Sequence, residues 1–249
     1  MLPEERYAII LKVLDEQQTV SSQELSERFG FSRSTVQRDI MTLARTGKLV
    51  RIYGGAAKMD AELSEEDSKI LEKQAANKDQ KLRIAEYAAK LVEPGDYVFV
   101  DSGTTTEFMI GFLRERKATY VTNSIANAKH LARLGFKVIL TGGELKENSE
   151  VVVGADAIMH IQKYHFTKGF FGANGVSEKL GFTTPDVREA LVKRVAIEST
   201  DQEGRYVLAD LSKFGQSSAV TFSEMGAAVT ITDGFPGESY RIAGNIKIV

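Results

Sequence analysis

The sequence predicts an α/β protein in which a small N-terminal winged helix-turn-helix precedes a larger, doubly wound and mostly parallel sheet. Three observations predict this fold class. Residues 4–44 have the pattern of three short helices before a Gly-Gly turn, residues 59–80 are polar and charged, and strand-length apolar runs then alternate with helical stretches. Such alternation is typical of a parallel sheet with helices on both faces. We therefore assign residues 1–58 to a winged helix-turn-helix domain, 59–80 to a linker and 81–249 to an α/β domain.

The composition excludes several classes of function. The 249-residue chain has a net charge of −2 and no cysteine, which excludes disulfides and thiolate sites. Its three histidines, His130, His160 and His165, lack the spacing of metal ligands, so we predict neither a metal nor a cofactor. No apolar run approaches the roughly 18 residues that span a bilayer, and the N-terminus lacks a secretory pattern. We expect a cytoplasmic protein without a membrane partner.

Two helices are predicted at the N-terminus. Residues 4–16 have an apolar stripe at helical spacing. The stretch from Thr19 starts a second helix, because Ser21 and Glu24 have the S-x-x-E spacing of a capping box. Gly30 ends this helix, because glycine tolerates the left-handed backbone that a helix stop needs. A short helix followed by a tight turn is the first half of a helix-turn-helix.

The third helix has two chemically different sides. Ser32 caps it, it runs to about Ala44, and Val36, Ile40 and Leu43 have the helical spacing of core residues. The other side carries no acid and consists of Arg33, Ser34, Gln37, Arg38, Met41 and Arg45. The major groove of DNA admits such a helix, and Arg or Gln can make paired hydrogen bonds to guanine or adenine.

The region around the third helix is strongly basic and ends in a predicted wing. Residues 28–58 contain seven basic residues and one acid, a net charge of +6. Gly54-Gly55 predicts a hairpin, with Lys48 and Arg51 beside phosphates and Tyr53 near the DNA backbone or minor groove. A solvated face, or a three-helix module that binds protein, is the alternative. The predicted DNA-contacting residues are Ser32, Arg33, Ser34, Thr35, Gln37, Arg38, Lys48, Arg51 and Tyr53.

In the second part of the chain, candidate ligand-binding loops follow the predicted strands. The strands are residues 97–100, 120–122, 137–141, 168–172, 206–210 and 229–233, and the helices include 84–92, 105–115, 125–134 and 186–199. In a doubly wound sheet, ligands bind beyond the carboxyl ends of strands, at the point where the strand order reverses. The candidate loops therefore follow residues 100, 122, 141, 172 and 210.

The first of these loops has the chemistry of an anion site. Residues 102–106, Ser-Gly-Thr-Thr-Thr, bring hydroxyls and a glycine to a predicted helix N-terminus, where free N–H groups and the helix dipole favour negative charge. Residues 122–124 and Gly142-Gly143 form similar small, polar turns. The spacing matches neither the dinucleotide-binding nor the Walker motif. We predict a small phosphorylated ligand; ordinary helix caps in short loops are the alternative.

Several of these motifs resemble the DeoR family of bacterial repressors. Residues 32–40 and 47–56 are similar to its helix-turn-helix signature, with Gln37-Arg38 in place of the usual two arginines and Tyr53 in place of the usual histidine. The stretches similar in order and spacing to its sensor domain are 101–105, 122–124, 142–143, 172–175, Asp210 and 212–215. The resemblance spans residues 3 to about 233 and implies a repressor of operator DNA. Two operator half-sites require a homo-oligomer, a dimer or tetramer.

The resemblance also implies an effector that is a sugar phosphate. Residues 181–186 resemble repressors of fructose- or lactose/tagatose-utilisation operons, which implies fructose 1-phosphate first and tagatose 6-phosphate second as the effector of a phosphotransferase-type operon. The predicted effector-binding residues are Asp101, Ser102, Gly103, Thr104, Thr105, Thr106, Thr122, Asn123, Ser124, Gly142, Gly143, Asn174, Lys193 and Lys213. An activator, or a protein-binding winged domain, is the alternative.

The sensor domain is similar to ribose-5-phosphate isomerase, so an enzyme is a second alternative. In the isomerases a strand ends in Asp-Gly-Ala-Asp, whereas residues 171–174 read Phe-Gly-Ala-Asn and lack both acids. Glu189 is the candidate for the isomerase glutamate, and a solvated ion pair between Glu189 and Lys193 is the alternative for these two residues. Because isomerisation needs a positioned base, we predict binding without turnover and no catalytic residue.

Overall fold

The computed structural model describes residues 2–52, 55–58, 76–146 and 150–249. The chain divides into two compact units, which meet in sequence between Ala76 and Asn77. The helices and strands of the first unit are α1 (Pro3–Gln17), β1 (Thr19–Ser21), α2 (Ser22–Phe29), α3 (Arg33–Arg45), β2 (Val50–Ile52) and β3 (Gly55–Ala57).

The first unit is a three-helix core with a small antiparallel sheet beside it. Its buried apolar side chains come from all three helices and include Ile10, Leu25 and Ile40. The strands pair in the order β1-β3-β2, so the hairpin predicted after α3 is confirmed. Residues 19–21, predicted to start a helix, form β1 instead. A Cβ on Gly55 would overlap the carbonyl oxygen of Val20, so this close pairing of β1 with β3 requires glycine.

The second unit is built around a seven-stranded sheet. Its elements are α4 (Lys78–Ala89), β4 (Tyr97–Val100), α5 (Thr104–Ile110), β5 (Thr119–Thr122), α6 (Ile125–Arg133), β6 (Lys137–Leu140), β7 (Glu144–Lys146), β8 (Val151–Val153), α7 (Ala155–Ile161), β9 (Lys168–Gly172), β10 (Gly175–Ser177), β11 (Gly181–Thr184), α8 (Val187–Glu198), β12 (Arg205–Leu208), β13 (Val220–Ser223), β14 (Val229–Thr232), α9 (Glu238–Ala243) and β15 (Asn245–Ile248).

All neighbouring strands of the large sheet are parallel, in the order β15-β14-β12-β9-β4-β5-β6. The two faces bury separate cores, one containing Phe99 and Phe171 and the other Val98 and Phe170. This alternation follows from the two-residue repeat of a strand that is buried on both faces. The strand order reverses between β4 and β9, which is where a doubly wound sheet binds ligands. The predicted fold class is confirmed.

Several elements differ from the sequence-based prediction. The helix predicted at 105–115 ends at Ile110. The hairpin of β7 with β8, the antiparallel sheet β10-β11-β13 and helix α7 were not predicted. Helix α4 begins at Lys78, and the second unit at Asn77, within the stretch assigned to the linker. Residues 59–75 of that stretch lie outside the described residues. No helix in the described ranges is long and apolar enough to cross a membrane.

Candidate functional site

The third helix is held by its cap and its buried side. The Ser32 hydroxyl accepts a hydrogen bond from the backbone N–H of Thr35 at 3.2 Å, as expected of an N-cap serine. Val36, Ile40 and Leu43 are buried as predicted. The predicted base- and phosphate-contacting side chains of this helix are exposed, except for Thr35, which is half-buried; the exposed ones are Ser32, Arg33, Ser34, Gln37 and Arg38.

The one acid of the basic region is removed from the outward side of α3. Asp39 is buried, and both of its oxygens accept hydrogen bonds from Arg6 of α1, at 2.6 Å from Nε and 2.9 Å from Nη2. A paired arginine–carboxylate contact of this kind is geometrically specific. It neutralises the acid and joins α1 to α3, which leaves only polar, basic and apolar side chains facing outward.

The wing residues are described in part. Lys48, which lies between α3 and β2, is exposed. The backbone of Arg51 lies in β2, opposite Ala56 of β3, but its side chain is outside the described part of the chain. Tyr53 is also outside the described residues. The structure therefore shows that Lys48 is accessible between α3 and β2. The roles assigned to Arg51 and Tyr53 remain predictions.

The second candidate site lies where the large sheet reverses its order. We call the edge at which β4, β5, β6, β9, β12 and β14 end the carboxyl edge. Asp101 follows β4 and is 1% exposed. Its Oδ2 accepts a hydrogen bond from the backbone N–H of Gly172, at the end of β9, at 2.8 Å. One carboxylate therefore joins the two strands on either side of the switch point.

Lys193 of α8 completes this contact. Its ammonium pairs with Asp101 Oδ2 and donates to the carbonyl oxygen of Gly172 at 3.1 Å. The solvated pair considered for Glu189 and Lys193 is not formed, because Glu189 instead accepts from Lys146 of β7 at 2.7 Å. Lys193 thus lies at the switch point, whereas Glu189 and Asp186 both pair with Lys146 of the β7–β8 hairpin.

Some predicted effector-binding residues have hydrogen bonds that fix the loops. The Thr106 hydroxyl is buried and donates to the carbonyl oxygens of Asp101 and Gly103, both at 2.6 Å. Thr122 Oγ1 accepts from Ser124 N at 3.1 Å, and Ser124 caps α6. These hydroxyls therefore shape the carboxyl edge.

The remaining predicted effector-binding residues differ in their exposure and in their hydrogen bonds. Ser102 and Thr104 are half-buried, and their hydroxyls make no hydrogen bonds with the described residues. Thr105 is buried. Asn174 is half-buried and accepts from the Thr184 hydroxyl at 3.2 Å. The half-buried Lys213 ammonium has no hydrogen bond or ion pair within the described ranges. Gly142 and Gly143 are exposed, and the N–H of Gly142 donates to His160 Nδ1 at 2.8 Å.

Buried oxygens without partners are concentrated at the carboxyl edge. Five of them follow or end strands of the large sheet: Asp101 Oδ1, Asn123 Oδ1, Thr141 Oγ1, Asp210 Oδ2 and Thr232 Oγ1. None has a hydrogen bond from the described residues, and the two other such atoms are Thr230 Oγ1 within β14 and Gln23 Oε1 in the first unit. Because buried polar atoms are nearly always hydrogen-bonded, these oxygens are available to water or to a bound molecule.

At the opposite edge of the sheet, where the strands begin and which we call the amino edge, the polar side chains beside β4 and β9 are hydrogen-bonded. Before β4, Asp96 accepts from Lys168 Nζ at 2.8 Å, from Thr167 Oγ1 at 2.7 Å and from Glu93 N at 2.7 Å. Burial raises the pKa of Asp96, but these hydrogen bonds together lower it by more. The pKa of Asp96 therefore lies below its ordinary value. The contrast makes the carboxyl edge the candidate binding site. The described residues contain no cluster of acidic or histidine side chains suited to a metal.

Fold and sites together define a transcription regulator, in which a DNA-binding winged helix-turn-helix is joined to an α/β sensor domain. Two known domain families match the sequence and identify the family to which this regulator belongs. The DeoR-like helix-turn-helix domain matches residues 6–62, and the DeoR C-terminal sensor domain matches residues 76–234. The chain belongs to the DeoR family.

Similar proteins agree with this assignment. A protein of Bacillus subtilis (strain 168), described as an uncharacterized HTH-type transcriptional regulator, FruR, is 41% identical over 93% of this chain and 91% of its own length. A lactose phosphotransferase system repressor of Streptococcus mutans is 32% identical over 92% of each chain. The predicted resemblance to DeoR repressors near those of fructose and lactose operons is confirmed, as is the prediction that the chain is not an enzyme.

Solved structures give a weaker likeness. Ribose 5-phosphate isomerase A of Methanocaldococcus jannaschii is 18% identical, with a TM-score of 0.42 over 56% of this chain and 55% of that one. The sorbitol operon regulator SorC of Klebsiella pneumoniae is 14% identical, with a TM-score of 0.29 over 69% of this chain and 67% of that one.

Proposed function

We propose that the chain represses a sugar-utilisation operon of the phosphotransferase type and that a phosphorylated sugar relieves this repression. Helix α3 and the wing contact operator DNA, a homo-oligomer places two such helices on two half-sites, and the protein acts in the cytoplasm. The name of the Streptococcus mutans relative, a lactose phosphotransferase system repressor, supports a sugar operon.

The DNA-binding part of the proposal depends on the outward side of α3. Arg33, Gln37 and Arg38 are exposed there, and the only acid of the region is buried against Arg6. Positive charge at such a surface supplies phosphate contacts, and exposed Arg and Gln side chains supply base contacts.

Replacing one base-reading residue tests this part. Duplex DNA is selected by the wild-type protein from a random-sequence pool, and its affinity for Arg38→Ala is then measured. We expect a loss of about 5- to 150-fold, the range of one specific base contact of about 1–3 kcal/mol. Arg133→Ala, which removes an exposed arginine from α6, is the matched control and should bind as wild type. Equal binding by both variants would exclude α3 as the reading helix.

The effector-binding part depends on the buried oxygens without partners at the carboxyl edge. The hydroxyls of Ser102 and Thr104 and the Lys213 ammonium, which have no partner among the described residues, provide donors for a phosphate, while the carboxylates provide acceptors for sugar hydroxyls. Fructose 1-phosphate is the first candidate and tagatose 6-phosphate the second.

Thermal stabilisation tests this part with fructose 1-phosphate, tagatose 6-phosphate, fructose and inorganic phosphate. A phosphorylated sugar at 100 times its Kd should stabilise the protein by about 2.7 kcal/mol, and unphosphorylated fructose should not. Thr104→Val should lose this response, and Thr104→Ser, which keeps the hydroxyl, should retain it. Absence of stabilisation by every phosphorylated sugar would refute the effector assignment.

A further inference from the structure

Asp210 is a buried carboxylate at the carboxyl edge that the sequence-based list of effector contacts does not include. It follows β12, is 2% exposed, and caps the turn Leu211–Lys213 by accepting from Ser212 N at 3.0 Å through Oδ1. Its second oxygen, Oδ2, is buried without a hydrogen-bond partner among the described residues. The carboxylate is thus held in place on one side and open to a donor on the other.

The position of Asp210 suits the hydroxyl end of a sugar. In the strand order, β12 and β4 lie on either side of β9, so the ends that carry Asp210 and Asp101 are two strand spacings apart, roughly 10 Å. Both carboxylates have one buried oxygen without a partner. A carboxylate accepts hydrogen bonds and repels phosphate, whereas the ammonium of Lys213 attracts it.

Asn77 shares the same carboxylate. Its Nδ2 donates to Asp210 Oδ1 at 3.0 Å and to Ser212 Oγ at 3.0 Å, so both amide hydrogens are used. Asn77 precedes α4 and has a left-handed backbone, with φ 52° and ψ 39°, but its side chain makes no capping hydrogen bond to that helix. Asparagine tolerates this conformation better than most residues. The side chain is directed to the carboxyl edge instead of to its own helix.

Asn77 is also the first residue of the second unit. The chain before it leads through residues 59–75 to the helix-turn-helix. A change in the hydrogen bonds of Asp210 therefore reaches, through one side chain, the residue at which the sensor begins.

We propose that Asp210 binds a hydroxyl of the effector and that Asn77 is the positioning residue that transmits its binding to the DNA-binding unit. The inference rests on the proposed function for the identity of the ligand. A donor that binds Oδ2 shares the negative charge of the carboxylate with Asn77, which donates to Oδ1. The hydrogen bond from Asn77 therefore differs in strength between the sugar-bound and sugar-free states. This differential contact is what coupling between two sites requires.

Two variants of the full-length protein separate binding from transmission. Asp210→Asn keeps an oxygen to accept from Asn77 and Ser212 but removes the acceptor at Oδ2, so it should bind fructose 1-phosphate at least about tenfold more weakly. Asn77→Gly permits the left-handed backbone and removes the amide, so it should still be stabilised by fructose 1-phosphate. Its operator Kd should no longer respond to the sugar.

The sugar-free protein gives a readout that does not depend on the effector. Allosteric coupling is typically 5- to 150-fold, so Asn77→Gly should itself shift the Kd for the selected duplex by about fivefold or more. Asp79→Ala, an exposed substitution in the first turn of the same helix, is the control and should not shift it. Circular dichroism verifies that each variant is folded.

The possible failures are distinguishable. If no phosphorylated sugar stabilises the wild-type protein, the proposed function fails, and the sugar-free comparison still decides the role of Asn77. If Asn77→Gly leaves the sugar-free operator Kd unchanged, or if Asp79→Ala shifts it equally, the transmission role is overturned. If wild type binds fructose 1-phosphate and Asp210→Asn binds it equally well, the binding role of Asp210 is overturned.

Discussion

The contact between Asp101 and Lys193 is the most consequential single pair in the sensor unit. Both side chains are buried, at 1% and 6% exposure, and they join the ends of β4 and β9 to helix α8. Two buried charges are tolerated when they pair, but removal of one partner leaves the other uncompensated. The pair therefore contributes to both the shape of the binding edge and the stability of the unit.

Lys193→Met tests this dependence. It should lower the free energy of unfolding by about 3–5 kcal/mol, the cost of an unpaired buried carboxylate, as measured by urea denaturation. The control is Lys163→Met, at an exposed position, which should change the free energy of unfolding by no more than about 0.5 kcal/mol. A small effect of Lys193→Met would mean that the Asp101 carboxylate does not depend on Lys193 for its stabilisation.

The sequence indicated these residues separately but could not indicate the pair. Asp101 was predicted from the loop after its strand, and Lys193 from its place in a helix, yet they are 92 positions apart. Their contact depends on β4 and β9 being neighbours, which strand order decides. The same holds for Asn77 with Asp210 and for Arg6 with Asp39, neither of which has a local sequence signal.

At the scale of elements, α3 combines a stability requirement and a binding requirement at one residue. Ser32 caps the helix and is also exposed beside Arg33. Aspartate is as good a cap as serine, but its charge is repelled by DNA phosphates. The two requirements can therefore be separated by two substitutions.

Ser32→Ala should lower the free energy of unfolding of the first unit by about 1 kcal/mol. Ser32→Asp should retain the stability but weaken DNA binding, with the greater loss at low salt, where phosphate repulsion is least screened. Denaturation and fluorescence anisotropy with the selected duplex measure the two effects. If Ser32→Asp binds DNA as wild type, the N-terminus of α3 does not approach the phosphates.

The amino edge of the sheet provides a prediction about pH. The pKa of Lys168 is lowered by burial and raised more by its hydrogen bonds to Asp96 and Glu93, so it lies above its ordinary value, while the pKa of Asp96 lies below its own. The lowered carboxylate pKa stabilises the fold above about pH 4, and this contribution is lost as pH falls through the folded-state pKa. The raised lysine pKa stabilises it up to about pH 10.

Lys168→Met should therefore reduce the free energy of unfolding by about 2 kcal/mol at neutral pH. The difference from wild type should be constant between about pH 5 and pH 9 and should shrink below about pH 4. Lys90→Met, which removes an exposed pair with Glu86, should cost no more than about 0.5 kcal/mol at any of these pH values. A difference that persists unchanged at low pH would show that packing, and not the ion pair, is lost.

Most strands of the large sheet could be predicted from sequence, whereas those of the smaller sheets in the second unit could not. Strands buried on both faces, such as Tyr97–Val100, have continuous apolar runs that stand out between helices. The strands β7, β10 and β11 have no such run, and β8 has only three residues. They form because the surrounding chain brings them together, and no local pattern records that.

At the scale of the whole molecule, the two units have separate cores. The core of the first unit contains Ile10, Leu14 and Val36, and those of the second contain Phe99, Phe171 and Ile84 among others. Each unit thus buries apolar side chains of its own, which is the property that allows a domain to unfold independently.

This separation predicts how a ligand of the sensor acts on stability. Calorimetry of the full-length protein should resolve two transitions, and fructose 1-phosphate should raise the midpoint of the one that belongs to the second unit, because a ligand stabilises only the folded unit that binds it. Selected duplex DNA should raise the midpoint of the other. Deletion of residues 1–58 should remove the DNA-responsive transition and leave the sugar response. If either ligand raised both midpoints equally, the units would unfold as one cooperative body, and the effector signal would then need no single transmitting residue such as Asn77.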